Sequence, residues 1–175
     1  MEGLNPASRR DRIEAGRIAL RRARPDDVDM FHAAMRDPAV MRYWSTPPHS
    51  EFATTRDWLD GMISADPATS DDFVIEVDGQ AAGKLGCWKV PELGYLLHPA
   101  FHGQGVASAA MAAFVAYMQE RGLPRLTADV DPRNQPSLRL LERFGFVVTG
   151  AASRTWLVGD EWCDSVYLEL DLNAS

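Results

Sequence analysis

Glu92-Leu93-Gly94-Tyr95-Leu96-Leu97-His98-Pro99-Ala100-Phe101-His102-Gly103-Gln104-Gly105-Val106-Ala107-Ser108 runs from an apolar strand through Pro99 into a glycine-spaced turn, and from there into a long helix. The first backbone N–H groups of a helix have no intrahelical acceptor. The helix dipole adds partial positive charge to them, so this anatomy makes a cradle for a phosphate or pyrophosphate. Gly103 and Gly105 leave out the Cβ atoms that would hold a ligand away from those amides. Many strand-to-helix turns carry glycine for tightness alone, and that reading stands beside the first.

The two usual nucleotide motifs do not fit the turn. A P-loop ends in Gly-Lys followed by Ser or Thr, whereas Val106 and Ala107 follow Gly105. A dinucleotide fingerprint needs a third glycine, where Ser108 stands, and an acidic residue closing a βαβ unit. Asp129 lies at a suitable distance, but it falls within a further strand. Another phosphate-bearing ligand is therefore to be considered.

Working outward, residues 17–22 alternate polar and apolar side chains and read as a first strand. Pro25-Asp26-Asp27 opens a helix carrying Val28, Phe31, Ala34 and Met35, with Pro38 as its stop. A second helix starts near Ser50, read as its N-cap, and carries Phe52, Trp58, Leu59 and Met62. Between them lies Met41-Arg42-Tyr43-Trp44-Ser45-Thr46-Pro47-Pro48, an aromatic loop that either plugs the core edge or touches substrate. Residues 72–77 and 82–90 are strands joined by the hairpin signal Asp78-Gly79, and 92–97 follows as a third.

After the glycine turn, Val106, Ala109, Ala110, Ala113, Phe114 and Tyr117 mark the apolar face of a helix ending at Gly122. Residues 125–130 form a strand parallel to 92–97 by way of that helix. Asn134-Gln135-Pro136-Ser137 turns into a helix over 138–144, closed by Gly145, and two strands follow at 146–151 and 164–172. The order is β-α-α-β-β-β-α-β-α-β-β: an α/β (α+β) chain with a mixed sheet of about seven strands and helices on both faces.

A chain of 175 residues, 46% hydrophobic and 25% charged, suits one domain with a full core. We expect an N-terminal arm over 1–16, partly disordered, and the domain over 17–175. No apolar run reaches membrane-spanning length and Met1-Glu2-Gly3-Leu4 lacks a signal-peptide core, so a cytoplasmic protein with no membrane partner is expected. Cys87 and Cys163 read as core fillers, and His32, His49, His98 and His102 show no ligand spacing, so no metal is expected. A net charge of −7 argues against a nucleic-acid partner. Seven arginines nonetheless fall between Arg9 and Arg24; they read as a solvated arm or, alternatively, a partner-binding patch.

With these residues set out, the chain resembles the GNAT superfamily of acetyl-CoA-dependent N-acetyltransferases. Residues 102–107 look like its pyrophosphate loop, with His102 in place of the usual Gln or Arg. Asn134-Gln135-Pro136-Ser137, with the following helix ending in Gly145-Phe146, looks like its next block. Gly159-Asp160-Glu161-Trp162-Cys163-Asp164 is similar to the ending of the branch that includes the ribosomal-protein N-terminal acetyltransferases. The likeness covers about residues 17–172.

The resemblance implies a single GNAT domain with a splayed parallel strand pair. Acetyl-CoA is then the co-substrate, held by His102, Gly103, Gln104, Gly105, Val106, Ala107 and Ser108, by Tyr95, Leu96 and Leu97 along the strand, and by Asn134. Asn134 also reads as a helix N-cap. Glu92 is the candidate base, through water, against the reading of an exposed strand-end glutamate. Many members place an acidic tyrosine where this chain has Leu141, so Ser137 takes on the service of the leaving thiolate, against the reading of a first-turn helix serine. His102 is assigned no catalysis; it either touches phosphate or faces water.

The implied activity is acetyl transfer by direct attack to a primary amine, either a protein N-terminus or a small amine. The alternatives are a non-catalytic acyl-CoA-binding module, or a transferase of another acyl group such as succinyl. An outward edge strand or the arginine-rich arm could pair two copies, which leaves a homodimer open.

Overall fold

Asp78 and Gly79 adopt φ of 48° and 83°, the pair of left-handed conformations that a two-residue hairpin of primed type demands. They join β3 (Asp71–Val77) to β4 (Gln80–Lys89) in the computed structural model, which describes residues 4–174. Along β3 the side chains alternate in their packing. Phe73, Ile75 and Val77 enter one core and Val74 enters another. One apolar layer therefore lies on each face of the sheet.

The first layer is built by α4 (Val106–Glu120) and α5 (Gln135–Arg143). On α4, Val106, Ala110, Met111, Phe114, Tyr117 and Met118 recur at helical spacing and are all buried. Phe73 meets Phe114 and Tyr117 edge-on, with centroids 6.1 and 5.4 Å apart. The opposite layer comes from α1 (Val28–Met35), the short α2 (Pro38–Met41) and α3 (Phe52–Ser64), whose Phe31, Met35, Met41 and Leu59 pack against Val74 and Leu96. Glu51, not Ser50, occupies the N-cap of α3, without a side-chain capping bond.

With β1 (Arg12–Ala15), β2 (Ile18–Arg21), β5 (Glu92–Leu97), β6 (Arg125–Val130), β7 (Val147–Val158) and β8 (Glu161–Asp171), the sheet order is β1-β2-β3-β4-β5-β6-β8-β7. Every neighbour is antiparallel except β5 and β6. That parallel pair is in register at Glu92 and Thr127 alone, so the two strands splay beyond that point. β4 holds β5 tightly on its other side: a Cβ added at Gly83 would come within 2.1 Å of the Leu96 carbonyl oxygen.

Two expectations are corrected here. The sheet has eight strands instead of about seven, because the stretch assigned to the arm supplies β1, and Leu4 is buried in the main core. Residues 1–3 of that arm lie outside the described residues. The arginine run is solvated only in part: Arg10, Arg12, Arg17 and Arg24 are exposed, whereas Arg21 and Arg22 turn inward. Arg21 is buried between Asp27 and Glu76 at 2.7 and 2.6 Å. Arg22 bonds Asp71 at 2.8 Å and stacks 4.0 Å over Phe73, while Arg121 of α4's C-cap takes the other Asp71 oxygen. Removing one member of such a buried pair costs about 3–5 kcal/mol, so these arginines pin β2, β3 and the end of α4 together.

The last two strands are also longer than expected, β7 running on to Val158 and β8 starting at Glu161. Gly159, at φ 63°, turns between them. The hairpin is irregular around Arg154, whose left-handed φ of 54° is held by Asp164 Oδ1 accepting the Arg154 N–H at 2.9 Å. The family-like Gly-x-x-Trp-x-Asp ending thus has a local structural task.

Candidate active site

Where β5 and β6 part, a groove of about 560 Å³ opens between β5, the glycine loop and the start of α5. Tyr95, Leu96, Leu97, His102, Gly103, Gly105, Val106, Ala107, Ser108 and Asn134 line it, together with Leu140 and Leu141. Gly103 and Gly105 have φ of 72° and 73°, and a Cβ at either would meet no protein atom within 4 Å, so the space before the loop amides is open. Gly105 is itself the N-cap of α4, which leaves the first-turn N–H groups to a ligand. Open amides, a helix N-terminus and a flanking splayed strand suit a pyrophosphate on an amide-bearing arm.

Three side chains of the loop make bonds of their own. Gln104 is outside the groove lining, its Nε2 donating to the Ala100 carbonyl at 3.0 Å. His102 donates from Nε2 to the Leu97 carbonyl at 2.9 Å, bracing the loop against the end of β5. Ser108 Oγ accepts a bond from Arg143 Nη2 at 3.1 Å. Arg143, which the sequence reading passed over, thereby brings the groove a positive charge beside the cradle.

Across the groove, Asn134 caps α5 by accepting the Ser137 N–H at 3.4 Å, and Pro136 in the first turn lets the helix begin at Gln135, three residues earlier than expected. Ser137 is buried, and its Oγ accepts a hydrogen bond from the Tyr95 hydroxyl at 2.8 Å. Burial raises the Tyr95 phenol above its ordinary value, against the bond to Ser137 and the charge of Arg143. Leu141 lies in the main core, where it has no proton to give.

A second cavity, of about 640 Å³, adjoins the groove. Tyr43, Trp44, Gly94, Asp129 and Asp131 line both. The aromatic loop therefore reaches both spaces. Glu92 lines the second cavity, accepting the Trp88 indole N–H at 2.7 Å. Asp129 accepts the Trp156 indole N–H at 2.9 Å. Asp131 is bonded by Arg133, which holds its carboxyl below the usual carboxylate range. Lys84 bonds Asp72 at 2.7 Å in the same wall.

Cys87 is a buried core residue whose thiol burial pushes well above its usual value. Cys163 is not a core filler; it lines the second cavity. Among the described residues no group of His, Cys, Asp and Glu could hold a metal ion, and no helix is long and apolar enough to cross a membrane. The signal for Asp129 was its alternation with Leu126, Ala128 and Val130, which places it on the face of β6 away from the α4 core.

The family model for the acetyltransferase (GNAT) domain matches residues 17–147, and the chain belongs to that family. Spermidine N(1)-acetyltransferase of Escherichia coli is 24% identical over 156 residues, covering 85% of this chain and 83% of the relative. A ribosomal L7/L12 alpha-N-protein acetyltransferase solved in complex with coenzyme A superposes with a TM-score of 0.82 at 21% identity, covering 94% of this chain and 99% of that one. The spermidine N-acetyltransferase of Vibrio cholerae in complex with CoA and spermine gives 0.77 at 18% identity, covering 89% and 96%.

Proposed function

We propose that this acetyltransferase moves an acetyl group from acetyl-CoA directly onto a primary amine, both substrates being bound at once. The observation that carries the reading is the meeting of the two cavities at Gly94 and Asp129. Gly94 presents no side chain, and a Cβ there would meet nothing within 4 Å, so the junction has room for a thioester and an amine to approach. The acceptors named for the relatives above, spermidine and a ribosomal-protein N-terminus, are both amines.

Acetyl-CoA bound in the groove supplies the activated acyl group; the residues of this chain do the rest. The loop amides from Gly103 to Ser108 and the Arg143 charge hold the pyrophosphate, Tyr95, Leu96 and Leu97 lie along the pantetheine arm, and Asn134 borders it. Glu92 takes a proton from the acceptor ammonium through water, its carboxylate fixed by Trp88. Ser137 donates a hydrogen bond to the departing sulfur, which leaves as thiolate while the serine keeps its proton. Because the Tyr95 hydroxyl donates to Ser137 Oγ, the serine hydrogen is left free to point into the groove. Two free thiols, Cys87 and Cys163, accord with a reducing compartment, and we place the protein in the cytoplasm.

The test is thiol release from acetyl-CoA by the purified full chain against a panel of primary amines and amino-terminal peptides, with products checked by mass. Amine-dependent release with a mass gain of one acetyl group is expected. Tight acetyl-CoA binding with no release above hydrolysis for any amine would reduce the chain to a binding module.

A further inference from the structure

An ammonium that becomes an amide gives up two protons. One is balanced by protonation of the released thiolate, and the other must reach solvent before the next turnover. An acceptor seated in the second cavity displaces the water through which Glu92 would shed it. One wall of that cavity, however, continues through the protein. His49 lines the cavity, while His32 lines a separate surface pocket with Asp29, Arg36 and Asp37. Between them Thr55, wholly buried on α3, sets its hydroxyl oxygen 2.8 Å from His49 Nδ1 and 2.9 Å from His32 Nδ1. The frame is held on both sides: the His49 N–H donates to the Met35 carbonyl at the end of α1 at 2.8 Å, and the His32 ring meets Phe52 edge-on at 5.2 Å. In each ring Nε2, the nitrogen turned away from Thr55, has no protein partner among the described residues and is not sealed from open space.

We propose that His49, Thr55 and His32 form the route by which the proton taken from the acceptor leaves the filled cavity. The proposal rests on the reading of this cavity as the acceptor side of the acetyltransferase. A hydroxyl donates one hydrogen and accepts on its lone pairs, so His49 Nδ1–H donates to Thr55 Oγ while the Thr55 hydrogen goes to His32 Nδ1. His49 Nε2 accepts the proton by way of the cavity water. Its Nδ1 proton then passes to Thr55 Oγ, the hydroxyl hydrogen passes to His32 Nδ1, and His32 Nε2 releases its own proton to solvent. Each group ends with the number of protons it began with, and both rings have changed tautomer. Once the product leaves, both ends face the same solvent and the reverse shift restores them. Burial, with the charge of His32, holds His49 below the ordinary imidazole range, so its ring is neutral and open to a proton at neutral pH.

The test is steady-state transfer to one primary amine by the full chain, in weakly buffered solution, with the fold of each variant checked by its melting temperature. His32→Gln alters only the outer end of the route, away from the cavity. It should lower kcat at least fivefold with KM for both substrates unchanged, and free imidazole added to the solution should restore the rate. Thr55→Val should lower kcat equally and resist that rescue, because the break is buried, whereas Thr55→Ser keeps the hydroxyl and the rate. Wild-type kcat in both His32→Gln and Thr55→Val overturns the route. A loss in His32→Gln that imidazole leaves untouched overturns it too, since that marks a packing role.

A second readout needs no turnover. Nitrogen chemical shifts of the labelled imidazoles report which ring nitrogen carries the proton. The route requires opposite tautomers at His49 and His32, because the single Thr55 hydrogen serves one Nδ1 and the other Nδ1 must donate. The same tautomer on both rings overturns it. Opposite tautomers in a wild type that transfers acetyl to no amine would instead remove the transferase reading and leave the hydrogen-bonded route standing.

Discussion

The Tyr95 hydroxyl donates to Ser137 Oγ at 2.8 Å, joining the strand beside the cofactor groove to the helix that closes it. This pair stands in a groove whose family-typical acid position is occupied by Leu141, a core residue. If Ser137 serves the leaving sulfur, Ser137→Ala should lower kcat by about tenfold to a hundredfold with the acetyl-CoA dissociation constant nearly unchanged, because the bond strengthens only as charge develops on sulfur. Tyr95→Phe removes one hydrogen bond and should cost about fivefold in kcat. Steady-state kinetics paired with calorimetry separates these outcomes from a binding role. A matching loss of affinity with kcat intact would make both residues part of the cofactor cradle.

The open space before Gly105 gives a second expected outcome. Gly105→Glu places a carboxylate and a Cβ where the amides face the pyrophosphate, and it forces an L-residue into φ 73°. Acetyl-CoA affinity should fall by at least a hundredfold, with the circular dichroism spectrum retained. Calorimetry showing wild-type affinity in a folded variant would move the pyrophosphate elsewhere.

What the sequence disclosed was local in kind. Asp78-Gly79 announced its turn because two left-handed positions in a row exclude most residue pairs, Gly103 and Gly105 announced the loop for the same reason, and Asn134 announced the start of α5 as its N-cap. The pairs that complete the site are distant along the chain, Tyr95 with Ser137 by 42 positions and Trp156 with Asp129 by 27. The first depends on α5 meeting β5 and the second on β8 entering the sheet between β6 and β7, neither of which any periodicity records. The arginine run misled for the same reason. The carboxylate partners of Arg21 and Arg22, Glu76 and Asp71, lie on β3, far along the chain, so the inward part of the run read as solvated with the rest.

Thr55 sets up a pH dependence of stability. Its hydroxyl lies 2.9 Å from His32 Nδ1 and 2.8 Å from His49 Nδ1, so both imidazoles share one oxygen. Burial, and then the charge of His32, lower the His49 pKa from its ordinary value near 6.5. The unfolded chain thus binds a proton that the folded chain resists. The stability contribution is present above about pH 6.5 and is lost as pH falls towards the lowered folded value. The melting temperature should therefore drop between pH 7.5 and 5, and the drop should be smaller in His49→Gln, read by calorimetry in parallel buffers. Equal slopes in both proteins would remove His49 from the effect.

Glu92 stands at the one point where β5 and β6 are in register, at the head of the splay and on the wall of the second cavity. Trp88 fixes one of its oxygens, leaving the other for the water that would carry the acceptor's proton. Glu92→Gln keeps an oxygen for the indole N–H, so the side chain holds its place while losing its basicity. The rate at neutral pH should fall on the order of a hundredfold, in the range that general base catalysis supplies. An alkylamine deprotonates unaided as pH rises towards its own pKa, so the deficit should shrink steadily between pH 7 and pH 10. The measurement is kcat/KM against pH for wild type and variant on one amine. A variant whose profile runs parallel to the wild type at every pH, however low its rate, would show that Glu92 shapes the cavity without taking the proton.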